Sequence, residues 1–396
     1  MELFVAVVAA GSVAAVLAIA HYAFWTHRLR QPIRDDGIVR AQTSDGWRLA
    51  LGTRLPRGAE RRPPVLLVHG LSVNRWMLDA GVEGFSLAAH LARHGFRTFA
   101  LDLRGHGDSR HAPRRAGDWN FDVYVRRDVP AALEAIRRET GEERVLWVGH
   151  SLGAVAGMVS CQLHADRIAG LVAIAGPVSF DAEGLVTHHV GWGLIVDGRF
   201  NRTLARMVAP WAGVFHPGAA EIMLNARNMD RPVYQRTMAN SIEDVPHGVF
   251  LQIADWVLRD VCRSADGTLD YRAGLAGCRQ PALFLAGPLD HLAPPAAVEK
   301  AHALWGGEKR LVEFKVENGH AADYGHVDLL LGKHAPLDVY PVVLQWLLEH
   351  SRDRGGAGDR AGGRAGSGGA EGAAAGPPLA AGAGTAVGGP AGEGAS

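Results

Sequence analysis

The sequence predicts an α/β protein: a mostly parallel central sheet with helices on both faces. Three observations predict it. Short apolar runs alternate with helix-spaced stretches from about residue 38 to 350. Several of those runs, Val65-Leu66-Leu67-Val68 among them, lack polar alternation, the pattern of strands covered on both faces. One run, Val145-Leu146-Trp147-Val148, passes through Gly149-His150-Ser151-Leu152-Gly153 directly into a helix-forming stretch.

The first element is residues 3–25, LFVAVVAAGSVAAVLAIAHYAFW, almost wholly apolar. At about 1.5 Å per residue it reaches roughly the hydrocarbon thickness of a bilayer. Tyr22 and Trp25 stand near its end, where amphipathic rings favour the interface. Residues 1–26 are therefore expected to be a single-pass transmembrane anchor. The competing expectation is a signal peptide cleaved at Ala18-Ile19-Ala20, with a secreted or periplasmic product. Glu2 precedes the apolar run without any Lys or Arg, whereas Arg28, Arg30 and Arg34 follow it. The positive-inside rule then puts the main domain in the cytoplasm.

Residues 27–351 form the expected main domain. Ile38–Thr43 and Trp47–Arg54, split by Ser44-Asp45-Gly46, read as a hairpin. Val65–Val68 and Arg97–Leu101 read as strands around a helix over Glu83–His94 that stops at Gly95. Asp122–Thr140 is a helix closed by Gly141, in which Pro130 marks a kink or the true start. Strand Arg144–Val148, helix Leu152–His164 and strand Ile168–Ile174 follow. After a gap come strand Ala282–Leu285, a helix from about Ala296, strand Arg310–Val316 and a last helix over Leu337–His350. The gap, residues 178–279, has helical pieces and no core strand, so it is expected to be a cap over the carboxyl edge of the sheet. Met207, Trp211, Phe215, Met223, Met229 and Met238 fall there and either line an apolar pocket or form the cap's own core. Residues 352–396 turn to Gly, Ala, Ser and Pro without periodicity and are expected to be disordered.

Composition removes other classes. The 41 basic and 41 acidic side chains balance to zero, which argues against a nucleic-acid partner. The 3 cysteines, Cys161, Cys262 and Cys278, are odd in number and widely spaced, so neither a disulfide framework nor a zinc knuckle is indicated. No metal and no cofactor is expected.

The turn around Ser151 fits G-x-S-x-G with a strand before it and a helix after it, a setting that lifts a serine hydroxyl above the sheet edge. Gly149 and Gly153 leave room for the neighbouring strand and helix. The bland alternative for Ser151 is an ordinary helix cap. A nucleophilic serine needs a base and a group to orient it, in the chain order Ser, acid, His for this topology. Asp290, in the turn after Ala282–Leu285, suits the acid. His320 and His326 both follow the last strand, and local chemistry does not choose between them. Two N–H groups are expected to face an oxyanion: Leu152, next to the serine, and Leu71, in the loop His69-Gly70-Leu71. Gly70 permits close backbone approach, and His69 reads as structural.

With those residues in view the chain resembles the α/β-hydrolase superfamily over about 38–350, the cap excepted. His69-Gly70-Leu71, the segment Leu101-Asp102-Leu103-Arg104-Gly105-His106-Gly107-Asp108-Ser109, Gly149–Gly153 and Asp290 carry the likeness. Within it the chain is similar to the acid-lipase branch of gastric and lysosomal lipases. His326-Val327-Asp328-Leu329-Leu330-Leu331-Gly332, with Ala335-Pro336 and Val339-Tyr340 beyond, resembles that branch's catalytic-histidine segment. The resemblance implies His326 as the base. There is also a likeness to polyhydroxyalkanoate synthases, whose nucleophile is cysteine; residue 151 is serine, which weighs against polymerase chemistry.

The expected function is a serine esterase or lipase acting on a small-molecule or lipid acyl ester through Ser151, Asp290 and His326. An acyltransferase on the same three residues and a non-catalytic ligand-binding protein are the alternatives.

Overall fold

The order of the strands places the chemistry. The structure, a computed structural model, describes residues 1–58, 62–111, 118–180, 200–215 and 221–351. The tail expected at 352–396 and cap residues 181–199 and 216–220 lie outside the described residues. Among the described residues nine strands make one sheet: β1 (Gly37–Gln42), β2 (Trp47–Arg54), β3 (Val65–Val68), β4 (Thr98–Asp102), β5 (Arg110–His111), β6 (Val145–His150), β7 (Ile168–Ile174), β8 (Ala282–Ala286) and β9 (Lys309–Glu313). They lie in the order β1-β2-β4-β3-β6-β7-β8-β9, with β5 on β2. Only the pairings of β2 are antiparallel; from β4 to β9 every pair is parallel. The loops after β3, β6, β8 and β9 therefore all leave from one edge, where ligand-facing residues gather in such sheets.

The apolar strands β3 and β8 are buried along their whole length, as are β4, which carries Thr98 and Asp102 at its ends, and β6, which runs on into Gly149 and His150. The helix Leu152–Leu163 packs on β6 and β7, and every residue from Leu152 to Cys161 is buried. The last helix spans Ala335–His350 and packs against β7 and the helix Leu87–Arg93.

Two elements differ from their sequence pattern for local reasons. The helix expected over Glu83–His94 begins only at Leu87, because Gly84 is left-handed (φ 84°) and Ser86 caps the Ala89 N–H at 2.9 Å. The strand expected over Arg310–Val316 ends at Glu313, and Val316–Asn318 is a 3-10 turn closed by Gly319 at φ 88°. Pro130 lies inside a continuous helical run, just after the junction of a π-helical turn, Tyr124–Asp128, with the α-helix Val129–Thr140, so the helix widens next to the residue that lacks an N–H.

The described part of 178–279 is built of the helices Asn201–Val208, Arg231–Asn240 and His247–Arg259 with 3-10 turns between them. The methionines and aromatics singled out there differ in burial. Met229 is buried and Met238 packs on Leu29, Ala209 and Ala239, while Trp211, Phe215 and Met223 are exposed. The N-terminal helix runs Glu2–Leu29, exposed through residue 20 and packed against the cap helices beyond it.

Candidate active site

The turn at Ser151 is built by steric exclusion. A side chain on Gly149 would overlap the Gly153 carbonyl, and one on Gly153 would overlap the Val68 carbonyl of the adjacent strand. With both positions bare, the chain reverses between β6 and the helix Leu152–Leu163. Ser151 is left at φ 55°, ψ −122°, outside the conformations a side chain favours. Strain of this kind costs about 1–3 kcal/mol. The Ser151 N–H donates to the Ile174 carbonyl at the end of β7 (2.8 Å), and its carbonyl accepts from Ala154 and Val155. Although Ser151 occupies the cap position of the helix, its hydroxyl caps nothing. A serine chosen to cap would have extended backbone and an engaged oxygen.

The loop after β3 closes over this turn. A Cβ on Gly70 would lie 2.9 Å from Ser151 Cβ, so Gly70 is a point of close approach. The Leu103 N–H donates to His69 Nε2 (3.2 Å), so Nδ1 carries the ring proton and donates to the Gly70 carbonyl (2.8 Å). Burial, reinforced by the nearby His106, pushes the His69 pKa down to about 3 and keeps the ring neutral. Further along, Asp102 at the end of β4 accepts the Arg75 N–H (2.9 Å) and Nε–H (3.1 Å), tying this loop to the sheet. Among the described residues neither the Leu71 N–H nor the Leu152 N–H is donated to a protein acceptor.

Asp290 follows β8 in the turn Gly287–Asp290 and is buried. Its Oδ1 accepts from the N–H groups of Leu292 (2.9 Å) and Ala293 (2.7 Å). Its Oδ2 lies 2.8 Å from His326 Nδ1. With the carboxylate as acceptor, Nδ1 holds the proton and Nε2 is left able to accept one. His326 in turn abuts the residue before Ser151. His150 Nε2–H donates to the His326 carbonyl (3.0 Å), and the two rings lie 4.7 Å apart. Burial and that neighbour push the His150 pKa down to about 3. His320 takes another position, tilted against the Phe314 ring at 4.6 Å. The structure thus pairs His326, not His320, with Asp290.

Three polar residues fix the His326 loop, and two of them, Asn225 and Asn228, are ones the sequence did not single out. Asp328, fully buried, accepts from the Gly325 N–H (3.0 Å), the Asn225 N–H (3.0 Å) and Asn228 Nδ2 (2.9 Å). Asn225 Nδ2 donates to the Asp323 carbonyl (2.7 Å), and the Val327 N–H donates to Met223 (2.9 Å). Burial raises the Asp328 pKa while those donors oppose the rise. No spacing in the sequence connects Asn225 and Asn228 to a loop about a hundred residues later. Among the described residues, no group of three His, Cys, Asp or Glu side chains is arranged to hold a metal ion.

A family model for the alpha/beta hydrolase fold matches residues 63–332. Gastric triacylglycerol lipase of Rattus norvegicus is 33% identical over 132 residues, which cover 30% of this chain and 33% of the lipase. A poly(3-hydroxyalkanoate) polymerase subunit of Haloarcula marismortui is 23% identical over 323 residues, covering 76% of this chain and 64% of the subunit. The chain therefore spans less than two thirds of either relative. A solved thermophilic esterase from Thermogutta terrifontis superposes with a TM-score of 0.53 at 20% identity, covering 80% of this chain and 99% of the esterase. That likeness is one of fold.

Proposed function

This chain belongs to the alpha/beta hydrolase fold family, and on that premise we propose that it is a serine hydrolase cleaving a carboxylic ester. The observation that carries the proposal is the Ser151 backbone: a residue held at φ 55° with a hydroxyl that caps nothing, in a turn that abuts His326 through His150. The gastric lipase among its relatives supports an ester as substrate.

In this reading Ser151 Oγ attacks the ester carbonyl carbon and His326 Nε2 takes the hydroxyl proton. Asp290 holds the imidazole through Nδ1 and stabilises its charged form. The negative oxygen is met by the N–H of Leu71, in the loop after β3, and that of Leu152, the first residue of a helix. The tetrahedral intermediate expels the alcohol, which receives the proton from His326. Water, deprotonated by His326, then attacks the acyl-Ser151 carbonyl, and His326 returns that proton to Ser151 Oγ as the acid leaves. Gly149, Gly153, Gly70 and His69 shape the site without touching the reacting atoms.

The same reading makes residues 1–26 a membrane anchor, with the hydrolase domain over 27–351 on the cytoplasmic side and residues 178–279 inserted as a cap. The end of that helix is packed on the rest of the chain. His21 Nε2–H donates to the Met207 carbonyl (3.0 Å), and Leu29 is buried against Ala209 and Ala239. Cleavage after Ala20 would leave this packed end and remove the apolar run before it.

The test is labelling of the full chain with a fluorophosphonate, together with turnover of a short p-nitrophenyl ester. Ser151→Ala should abolish both while the protein stays folded. Labelling that persists in Ser151→Ala would remove Ser151 from the mechanism.

A further inference from the structure

The cap carries an apolar face that neither its fold nor the chemistry above uses. Phe200, Leu204, Val208 and Trp211 follow one another at helical spacing on and beside the helix Asn201–Val208, so they line one side. Large apolar side chains at such positions ordinarily turn inward, yet these are 66%, 49%, 41% and 45% exposed. Ala205 and Ala209, off that line, make the buried contact.

Both ends of the stripe have defined neighbours. At the start, Asn201 Nδ2 donates to Ser72 Oγ (3.2 Å), and Ser72 follows Leu71 in the loop beside Ser151. Ser72 also exchanges hydrogen bonds with the Glu243 backbone (2.6 and 2.8 Å), which holds that rim to the cap. At the far end, Trp211 stacks on His21 with ring centroids 4.8 Å apart and planes 15° apart. His21 is the first residue of the N-terminal helix that is partly buried rather than exposed. From Glu2 to Ala20 that helix would rise about 28 Å, close to the hydrocarbon thickness of a bilayer. The membrane boundary then falls at His21, and Tyr22, Trp25 and Trp211 come to the level where aromatic rings favour the interface.

The geometry points to a second membrane contact: the stripe Phe200–Leu204–Val208–Trp211 lies in the interface of the leaflet where the N-terminal helix ends, and leads an ester dissolved in that leaflet to the rim of the Ser151 site. This rests on the reading of residues 1–26 as an anchor, and it narrows the substrate to an ester whose acyl chain keeps it in the bilayer. The occupant is argued from continuity, since the stripe begins at the rim of the candidate site and ends against the helix that would cross the bilayer. An amphipathic face beside a spanning helix gains from burying its apolar side chains just below the headgroups.

The test uses the full chain in vesicles of phosphatidylcholine and phosphatidylglycerol. Leu204→Cys and Val208→Cys, each labelled with a fluorophore, are compared with Arg202→Cys on the other side of the same helix; Cys161, Cys262 and Cys278 are buried. A lipid-borne quencher should act at least fivefold more strongly at 204 and 208 than at 202. Equal quenching at all three sites, or labels shielded from both lipid and water as a protein partner would shield them, overturns the proposal. In a second arm, Leu204→Gln with Val208→Gln should lower hydrolysis of a long-chain ester embedded in vesicles at least tenfold and change a water-soluble short ester by less than twofold. An equal fall on both substrates marks a purely structural role and also overturns it. Washing vesicles with alkaline carbonate tests the anchor separately. Release of the unaltered protein counts against the anchor alone, because the labels report the stripe whether or not the helix spans.

Discussion

The turn at Ser151 and the loop at His326 are held in opposite ways. Five consecutive residues make the turn, and its conformation follows from which of them lack a side chain. The His326 loop contributes few constraints of its own. Its carboxylate partner comes from the turn after β8, its carbonyl is held by His150, and its backbone is pinned through Asp328 to Asn225 and Asn228 in the cap. The difference teaches that a strained backbone can be specified over a few residues, whereas an imidazole-bearing loop at a strand end must be fixed by whatever packs against it.

The largest effect expected breaks the histidine side of this comparison. His326→Ala should lower kcat for a short ester by about 10⁶-fold, on the scale of removing a triad histidine, while His320→Ala should stay within about threefold. A large loss in His320→Ala with His326→Ala active would reverse the assignment, and steady-state kinetics on the two variants decides it.

Next comes the distant support. Asp328→Ala strips the acceptor from three buried donors and should destabilise the protein by about 3 kcal/mol, read from urea unfolding. Asp328→Asn keeps the shape but turns an amide toward those donors. It should lower kcat more than KM and shift the pH profile of kcat, because the imidazole would be less well held. An Asp328→Asn enzyme with unaltered kcat and profile would show that the loop keeps its geometry without the cap.

Acid should weaken both regions together. His69 and His150 are buried with pKa values near 3, against about 6.5 in an unfolded chain. Between those values the unfolded state binds more protons, so stability is full above pH 6.5 and is lost as pH falls toward 3. Each pH unit well inside that window should cost about 1.4 kcal/mol per histidine. A flat unfolding free energy from pH 7 to 4.5 would contradict this.

The smallest effect sharpens the local side. Ser151→Gly removes the side chain that makes φ 55° unfavourable and should stabilise the protein by roughly 1 kcal/mol while abolishing turnover. A melting temperature lowered by this substitution would mean that the backbone at 151 is not strained.

Much of this was legible in the sequence for physical reasons. Strands buried on both faces are largely apolar, so β3, β8 and the Val145–Val148 part of β6 announced themselves, and the bare positions at 149 and 153 marked the turn. Strand order was also accessible in outline, since strand–helix alternation leaves few topologies. The boundaries that failed, at Glu83 and Val316, were set by a left-handed glycine and a serine cap whose conformations depend on their surroundings.

By itself, then, the sequence determined the α/β class, the turn at Ser151 and the apolar N-terminal helix, because each is written in neighbouring residues. Only the tertiary structure decided that Asp290 pairs with His326, that Asn225 and Asn228 brace the loop, and that the exposed stripe joins the N-terminal helix to Ser72. Those contacts join residues far apart in the chain, and no local periodicity encodes which distant side chains a packed sheet edge will bring within hydrogen-bond reach.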